Sequence, residues 1–295
     1  MPLRPTVNCL VVGTGYIGKR VLDRLPPGTA SGLSRSPLPA LNGHVIATLD
    51  LDRPDHPSVE LPRATVLLYT VAPSAAAGAD ERLTRLLGML DPLPQRFVYI
   101  STSGVYGDHR GHVVDESTTP APATDRAQKR LAAEEMLQSW CSKNQVEDVI
   151  LRVPGIYGPG RLGLERLRGG EPVIRESEAN PGNRIHADDL ARCCIAAMSR
   201  NDVAGVYNVS DGDYRSSSWF SKAVARLAGL PLPPEISLTQ AQDVFSEIRL
   251  SFLHESRRLE VARMRTELQF EPQFTDAEDG IRDALAADGL LESPG

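Results

Sequence analysis

Residues Gly13-Thr14-Gly15-Tyr16-Ile17-Gly18 form a G-x-G-x-x-G run. Gly13 permits a tight strand-to-helix turn, Gly15 lets the backbone approach a diphosphate, and Gly18 lets the helix pack close to the strand. Tyr16 and Ile17 open the helix, so their N–H groups and that of Gly15 are free for phosphate oxygens at its positive end. The run alone is a weak signal. Here it follows the apolar stretch Val7–Val12 and opens an amphipathic one, Ile17–Leu25, with apolar Ile17, Val21, Leu22 and Leu25. That context points to a dinucleotide site rather than glycine-rich packing.

The next strand end bears on which dinucleotide. An NAD site places Asp or Glu about 20 residues after the first glycine, to hold a ribose 2′-hydroxyl. Between Gly28 and Asn42 there is no acidic residue, and the chain reads Leu33-Ser34-Arg35-Ser36. Arg35 can pair with a 2′-phosphate as a charge-assisted fork, with Ser34 or Ser36 adding hydroxyl bonds. The preference is therefore NADP, with NAD as the alternative and a solvated loop as the plainer reading of Arg35. Asp50 and Leu51, after the third strand, are candidates to cover the adenine. Ala72 and Pro154, just past two further strand ends, complete the candidate cofactor set.

Strands and helices must alternate to bring these ends together. The sequence predicts strands at Val7–Val12, Thr29–Leu33, His44–Leu49, Thr65–Val71, Arg96–Ser101, Asp148–Val153 and Gly205–Val209. Helices are predicted at Ile17–Leu25, Asp80–Leu90, Thr124–Lys143 and Asp188–Ser199, and Ala75–Ala79 reads as a loop or helix start. This order implies an α/β fold, a Rossmann-type doubly wound parallel sheet with helices on both faces. After about residue 210 the alternation fades among Pro231, Pro233, Pro234 and Pro272, as in a small α+β lobe. The expected division is a dinucleotide-binding domain over 1–155, to which 184–210 returns, and a substrate lobe of 156–183 and 211–295.

Composition excludes several classes. The 295 residues carry a net charge of −6 and no Lys/Arg-rich block, which disfavours nucleic-acid binding. No apolar run reaches the ~20 residues that span a bilayer. Met1–Asn8 lacks a basic region followed by a long apolar core, so a cytoplasmic protein with no membrane partner is expected. Cys9, Cys141, Cys193 and Cys194 show no metal-binding or disulfide spacing and read as small buried side chains; no metal is expected.

Four further segments carry a resemblance covering nearly the whole chain. Tyr99-Ile-Ser-Thr-Ser-Gly-Val-Tyr-Gly107 is similar to S-[ST]-x-x-V-Y-G, and Leu151-Arg-Val-Pro-Gly-Ile-Tyr-Gly-Pro-Gly160 to L-R-x-x-x-[VI]-Y-G-P-G. Asn183–Leu190 and Tyr207-Asn208-Val209 resemble the segments that follow. Together they resemble the extended short-chain dehydrogenase/reductases, the NAD-dependent epimerase/dehydratase family. The resemblance implies that Thr102 binds the substrate oxygen, and that a Y-x-x-x-K pair opens the long helix. Counting back from Leu131-Ala-Ala-Glu-Glu135 puts the lysine position at Arg130 and the tyrosine position at Arg126, and no tyrosine lies between Gly107 and Tyr157. In this the chain resembles the atypical YeeZ-like branch that lacks the tyrosine.

Arg stays protonated, so Arg126 cannot serve as general base, while Arg130, or Lys129 with a one-residue shift, can still hold ribose hydroxyls. Tyr106, Tyr157, His112 and His186 are the titratable candidates to replace the tyrosine, and each also has a structural reading: loop anchors, a surface residue and a capping histidine. Ser103, beside Thr102, is a substrate-side candidate that should face the other way along an extended segment. Arg161, after the Gly-Pro-Gly turn, and Arg258 are candidate substrate-anion contacts, the latter by resemblance to a basic residue that meets a nucleotide-sugar phosphate. Two functions are expected: an NADP(H)-dependent oxidoreductase or epimerase-like enzyme on a small polar, sugar-like molecule, or a non-catalytic NADP-binding redox sensor. A homodimer follows from the resemblance alone.

Overall fold

The computed structural model of the protein describes residues 8–53, 61–74, 80–253 and 255–291. The reading of Ala75–Ala79 lies outside these, as does that of nearly all of Met1–Asn8. Seven parallel strands form one sheet in the order Gly205–Asn208, Glu147–Val153, Arg96–Thr102, Val66–Tyr69, Cys9–Val12, Ala30–Ser34, Val45–Thr48. The chain runs outward from Cys9–Val12 to one edge, then crosses back and runs to the other. Cys9–Val12 and Val66–Tyr69 thus flank the point where winding reverses, where a crevice opens beyond the strand ends.

Side chains alternate across this sheet and build two cores. Cys9 and Val11 pack with Val21, Leu22, Leu190 and Cys194, under helices Tyr16–Arg24 and Ala187–Ser199. Leu10 and Val12 pack with Leu83, Leu86, Leu137 and Cys141, under Glu81–Met89 and Asp125–Asn144. The near-continuous apolar strands follow from this burial on both faces. All four cysteines are buried, and among the described residues none forms a disulfide.

Helix starts are set by side chains that satisfy first-turn amides. Asp80 accepts from the N–H groups of Arg82 and Leu83, Thr124 from Ala127, and His186 from Asp188. Beyond the sheet, Gly155–Tyr157 pairs with Arg184–His186, Val173–Ile174 with Glu235–Ile236, and Val113–Val114 with Arg258–Leu259. Arg184–His186 therefore belongs to a two-stranded ribbon, and the segment regains the large sheet at Gly205–Asn208. Tyr157, Leu167, Val224, Ile281 and Leu285 form a separate core among the later helices. Among the described residues no helix is long and apolar enough to cross a membrane.

Candidate active site

A cleft of about 650 Å³ opens at the carboxyl ends of the strands, over the point of reversal. Its floor is the glycine turn, and each glycine is there for a different reason. Gly13 has φ +94°, and a Cβ there would lie 2.6 Å from Thr70 Oγ1, which itself donates to the Gly13 carbonyl at 2.7 Å. A Cβ on Gly18 would come 2.0 Å from the same carbonyl oxygen. A Cβ on Gly15 would meet nothing within 4 Å, because it would project into the cleft. The helix that follows has no side-chain cap at Gly15 and no acid in its first turn, so its positive end faces the cleft uncompensated. These features fit a diphosphate lying on the turn.

At one end Ser34, Arg35 and Ser36 line the cleft beside Asp50, Leu51 and Asp52. Both acids are engaged by the protein. Asp52 takes a two-pronged pair from Arg82 at 2.6 and 2.7 Å, which holds its carboxyl below the usual range. Asp50 accepts from the Asp52 N–H and lies 3.7 Å from Arg53. Arg35 is exposed and forms no ion pair among the described residues. Nothing in the sequence signals the Asp52–Arg82 pair, which joins groups 30 residues apart.

At the other end Ser101, Thr102, Arg130, Val153 and Pro154 line the wall, and Ala72 borders the middle. Thr102 Oγ1 accepts from the Gly104 N–H at 3.2 Å, which leaves the hydroxyl proton for another acceptor. Arg130 reaches from the long helix and donates to the Ile100 carbonyl and Tyr99 hydroxyl, both at 3.0 Å. It locks that helix against the strand bearing Thr102. One turn on, Glu134 is 1% exposed, pairs with Arg152 at 2.7 Å and accepts from the Ser101 hydroxyl. This buried ion pair went unread in the sequence. Arg152 inside the apolar stretch Val149-Ile-Leu-Arg-Val153 is the signal that could have revealed it.

Several candidates lie elsewhere. Tyr106 is fully buried, donates to Asn208 Oδ1 at 2.8 Å and sits 4.8 Å beneath the Arg152 guanidinium; burial pushes its pKa up, so it is a core group. Ser103 is buried and does not line the cleft, as its place in the turn Ser103–Tyr106 dictates. Tyr157 packs edge-on against His186 and Phe220 in the later core, and burial drives its pKa far up. Arg258 donates to the Gly111 carbonyl beside its strand pairing and does not line the cleft. Gly18 faces the turn rather than the cleft. His112 is exposed outside the cleft, and His186 is a buried cap whose pKa desolvation lowers. Arg126, which the resemblance implies at the tyrosine position, is exposed, with its guanidinium 4.4 Å over the Phe252 ring and outside the cleft lining. Arg161 does line the cleft, but beside the glycine turn.

Comparison with known proteins agrees with this architecture. A conserved protein of unknown function from Silicibacter pomeroyi superposes with a TM-score of 0.80 at 28% identity, over 96% of this chain and 99% of its own. MoeE5, solved with UDP-glucose and NAD, has a TM-score of 0.74 at 22% identity over 94% and 97%, a likeness of fold. An uncharacterized protein of Sinorhizobium fredii, y4nG, is 23% identical over 93% of this chain and 80% of its own. Residues 81–210 match the profile described as the NAD dependent epimerase/dehydratase family. That match, with the glycine turn before it and a fold shared over almost the full length, makes the chain similar to the NAD-dependent epimerase/dehydratase proteins.

Proposed function

We propose that the protein is an oxidoreductase that holds NADP(H) in this cleft and exchanges hydride between the nicotinamide and a small polar substrate of nucleotide-sugar type. The observation that carries the cofactor is the open space above Gly15 at an uncapped helix end. The choice of NADP rests on Ser34, Arg35 and Ser36 at the strand end, with Asp50 and Asp52 already held by the protein. The substrate class rests on the family and on a fold that in MoeE5 accommodates UDP-glucose.

Bound NADPH would supply hydride to a substrate carbonyl carbon, whose oxygen would then take up one proton. Thr102, with its hydroxyl already accepting from Gly104, donates its own proton in a hydrogen bond to that oxygen. Arg130 fixes the helix beside it. Among the described residues no His, Cys or Lys lines the cleft, the Tyr16 hydroxyl proton goes to the Pro159 carbonyl, Asp50 and Asp52 lie at the Arg35 end, and Arg126 faces Phe252, so we assign the proton to solvent water.

Titration of intrinsic fluorescence with NADPH and NADH tests the cofactor. Tighter NADPH binding is expected, and NADH binding at least as tight would overturn the role of Arg35. Turnover on a panel of UDP- and dTDP-sugars, lost in Thr102→Ala while NADPH still binds, tests the chemistry. Cofactor binding with no turnover anywhere on the panel would favour a redox-sensing protein instead, a reading that the displaced Arg126 supports.

A further inference from the structure

Beside the glycine turn stands an arginine with no ion-pair partner among the described residues. Arg161 follows the glycine-proline turn and lays its guanidinium 3.9 Å over the Tyr16 ring. Arg20 lies 3.9 Å over that ring too, but Asp188 engages it at 3.0 Å. The Arg161 guanidinium has no ion pair or hydrogen bond among the described residues, although it lines the cleft. It also sits beside the positive end of helix Tyr16–Arg24, where a cation is repelled unless an anion lies between.

A second observation points to an anion site at the same place. Thr14, between the first two glycines, is 4% exposed and lines the cleft, yet its Oγ1 has no partner among the described residues. Its methyl faces the neighbouring strand, where a Cβ on Gly32 would lie 2.7 Å from it. A buried hydroxyl without a partner is costly, and a ligand oxygen would satisfy it.

The segment carrying Arg161 is anchored at both ends. The Tyr16 hydroxyl donates to the Pro159 carbonyl at 2.8 Å, and the Gly160 N–H donates to Asp288 at 2.9 Å, just past helix Ala277–Ala287. Gly158 has φ +146°, and a Cβ there would lie 2.9 Å from the Tyr16 hydroxyl. The turn is therefore built onto the helix start, and through Asp288 it ties that start to the C-terminal helix.

We propose that Arg161 is a cofactor residue: residues 158–161 form a strap over the glycine turn, and the guanidinium, flat on Tyr16, binds the dinucleotide's diphosphate from the side opposite the backbone amides, with Thr14 adding a hydroxyl bond. This deepens the NADP(H) reading and depends on it. It also moves Arg161 from the substrate to the cofactor.

The test compares NADPH with adenosine 2′-monophosphate, which has the 2′-phosphate and no diphosphate. In Arg161→Ala, NADPH affinity should fall by about tenfold, and adenosine 2′-monophosphate should change by less than about twofold. Arg161→Lys, which keeps charge but loses the flat stack, should lie between. Because Arg161 is exposed, the melting temperature should match wild type. An unchanged NADPH affinity in Arg161→Ala, or an equal loss for both ligands, would overturn the strap. Wild-type protein that binds neither NADPH nor NADH would overturn the cofactor reading and the strap with it, before any variant is made.

Discussion

Gly15→Ala and Gly18→Ala differ by one methyl group each, and the structure assigns them opposite consequences. The Gly15 Cβ would meet no atom within 4 Å, so the alanine variant should fold normally, with a melting temperature within about 2 °C of wild type. That methyl would stand where a phosphate must approach the helix-end amides. Losing two charge-assisted hydrogen bonds, at about 1.5–3 kcal/mol each, weakens NADPH binding by about 100-fold or more. The Gly18 Cβ would lie 2.0 Å from a backbone oxygen, which cannot rotate away as a side chain can. Relieving it requires the helix to shift, at a cost of at least about 2 kcal/mol, or roughly 5 °C in melting temperature for a chain of this size. Thermal unfolding with fluorescence titration of both variants separates the effects. If Gly15→Ala binds NADPH as wild type does, the diphosphate does not lie on this turn.

Glu134→Ala strands the Arg152 charge in the core and should destabilise the protein by about 3–5 kcal/mol, read by urea unfolding. An effect below about 1 kcal/mol would mean that water replaces the carboxylate. Burial raises the Asp211 carboxyl to about 8. The folded state thus keeps a proton that the unfolded state releases near 4, and stability falls as pH rises from about 4 to about 8, by up to about 1.4 kcal/mol per unit. Asp211→Asn should flatten this slope and gain on wild type at pH 8; a parallel pair of stability–pH curves would refute the shift. Arg126→Tyr should leave NADPH affinity unchanged, since Arg126 stacks on Phe252 outside the cleft; collapse of binding would place the guanidinium on the cofactor.

The sequence was read well wherever a local rule fixes the outcome. Strand and helix positions follow from apolar runs, 3.6-residue spacing and capping groups, and they differ from the observed bounds by a residue or two at most described ends. The three glycines were legible because backbone geometry at a turn depends on neighbours in the chain. The absence of tyrosine between Gly107 and Tyr157 is a fact of composition that no folding could alter. Tyr106, Tyr157 and Arg258 were misplaced for a common reason. Each is near a strand end or site segment in the chain, but which way its side chain turns depends on what packs against it. Asn208, Phe220 and the Gly111 carbonyl come from distant segments.

The amino-acid order by itself therefore determined a doubly wound sheet and the glycine turn that opens its first helix, since periodicity and glycine conformation act over a few residues. Only the tertiary structure decided which charges stay free. Asp52 is tied to Arg82, Glu134 to Arg152 and Arg20 to Asp188, while Arg35 and Arg161 at the cleft form no ion pair among the described residues. Ion pairing is fixed by distance in space, and partners 18 to 168 residues apart leave no mark on the local sequence.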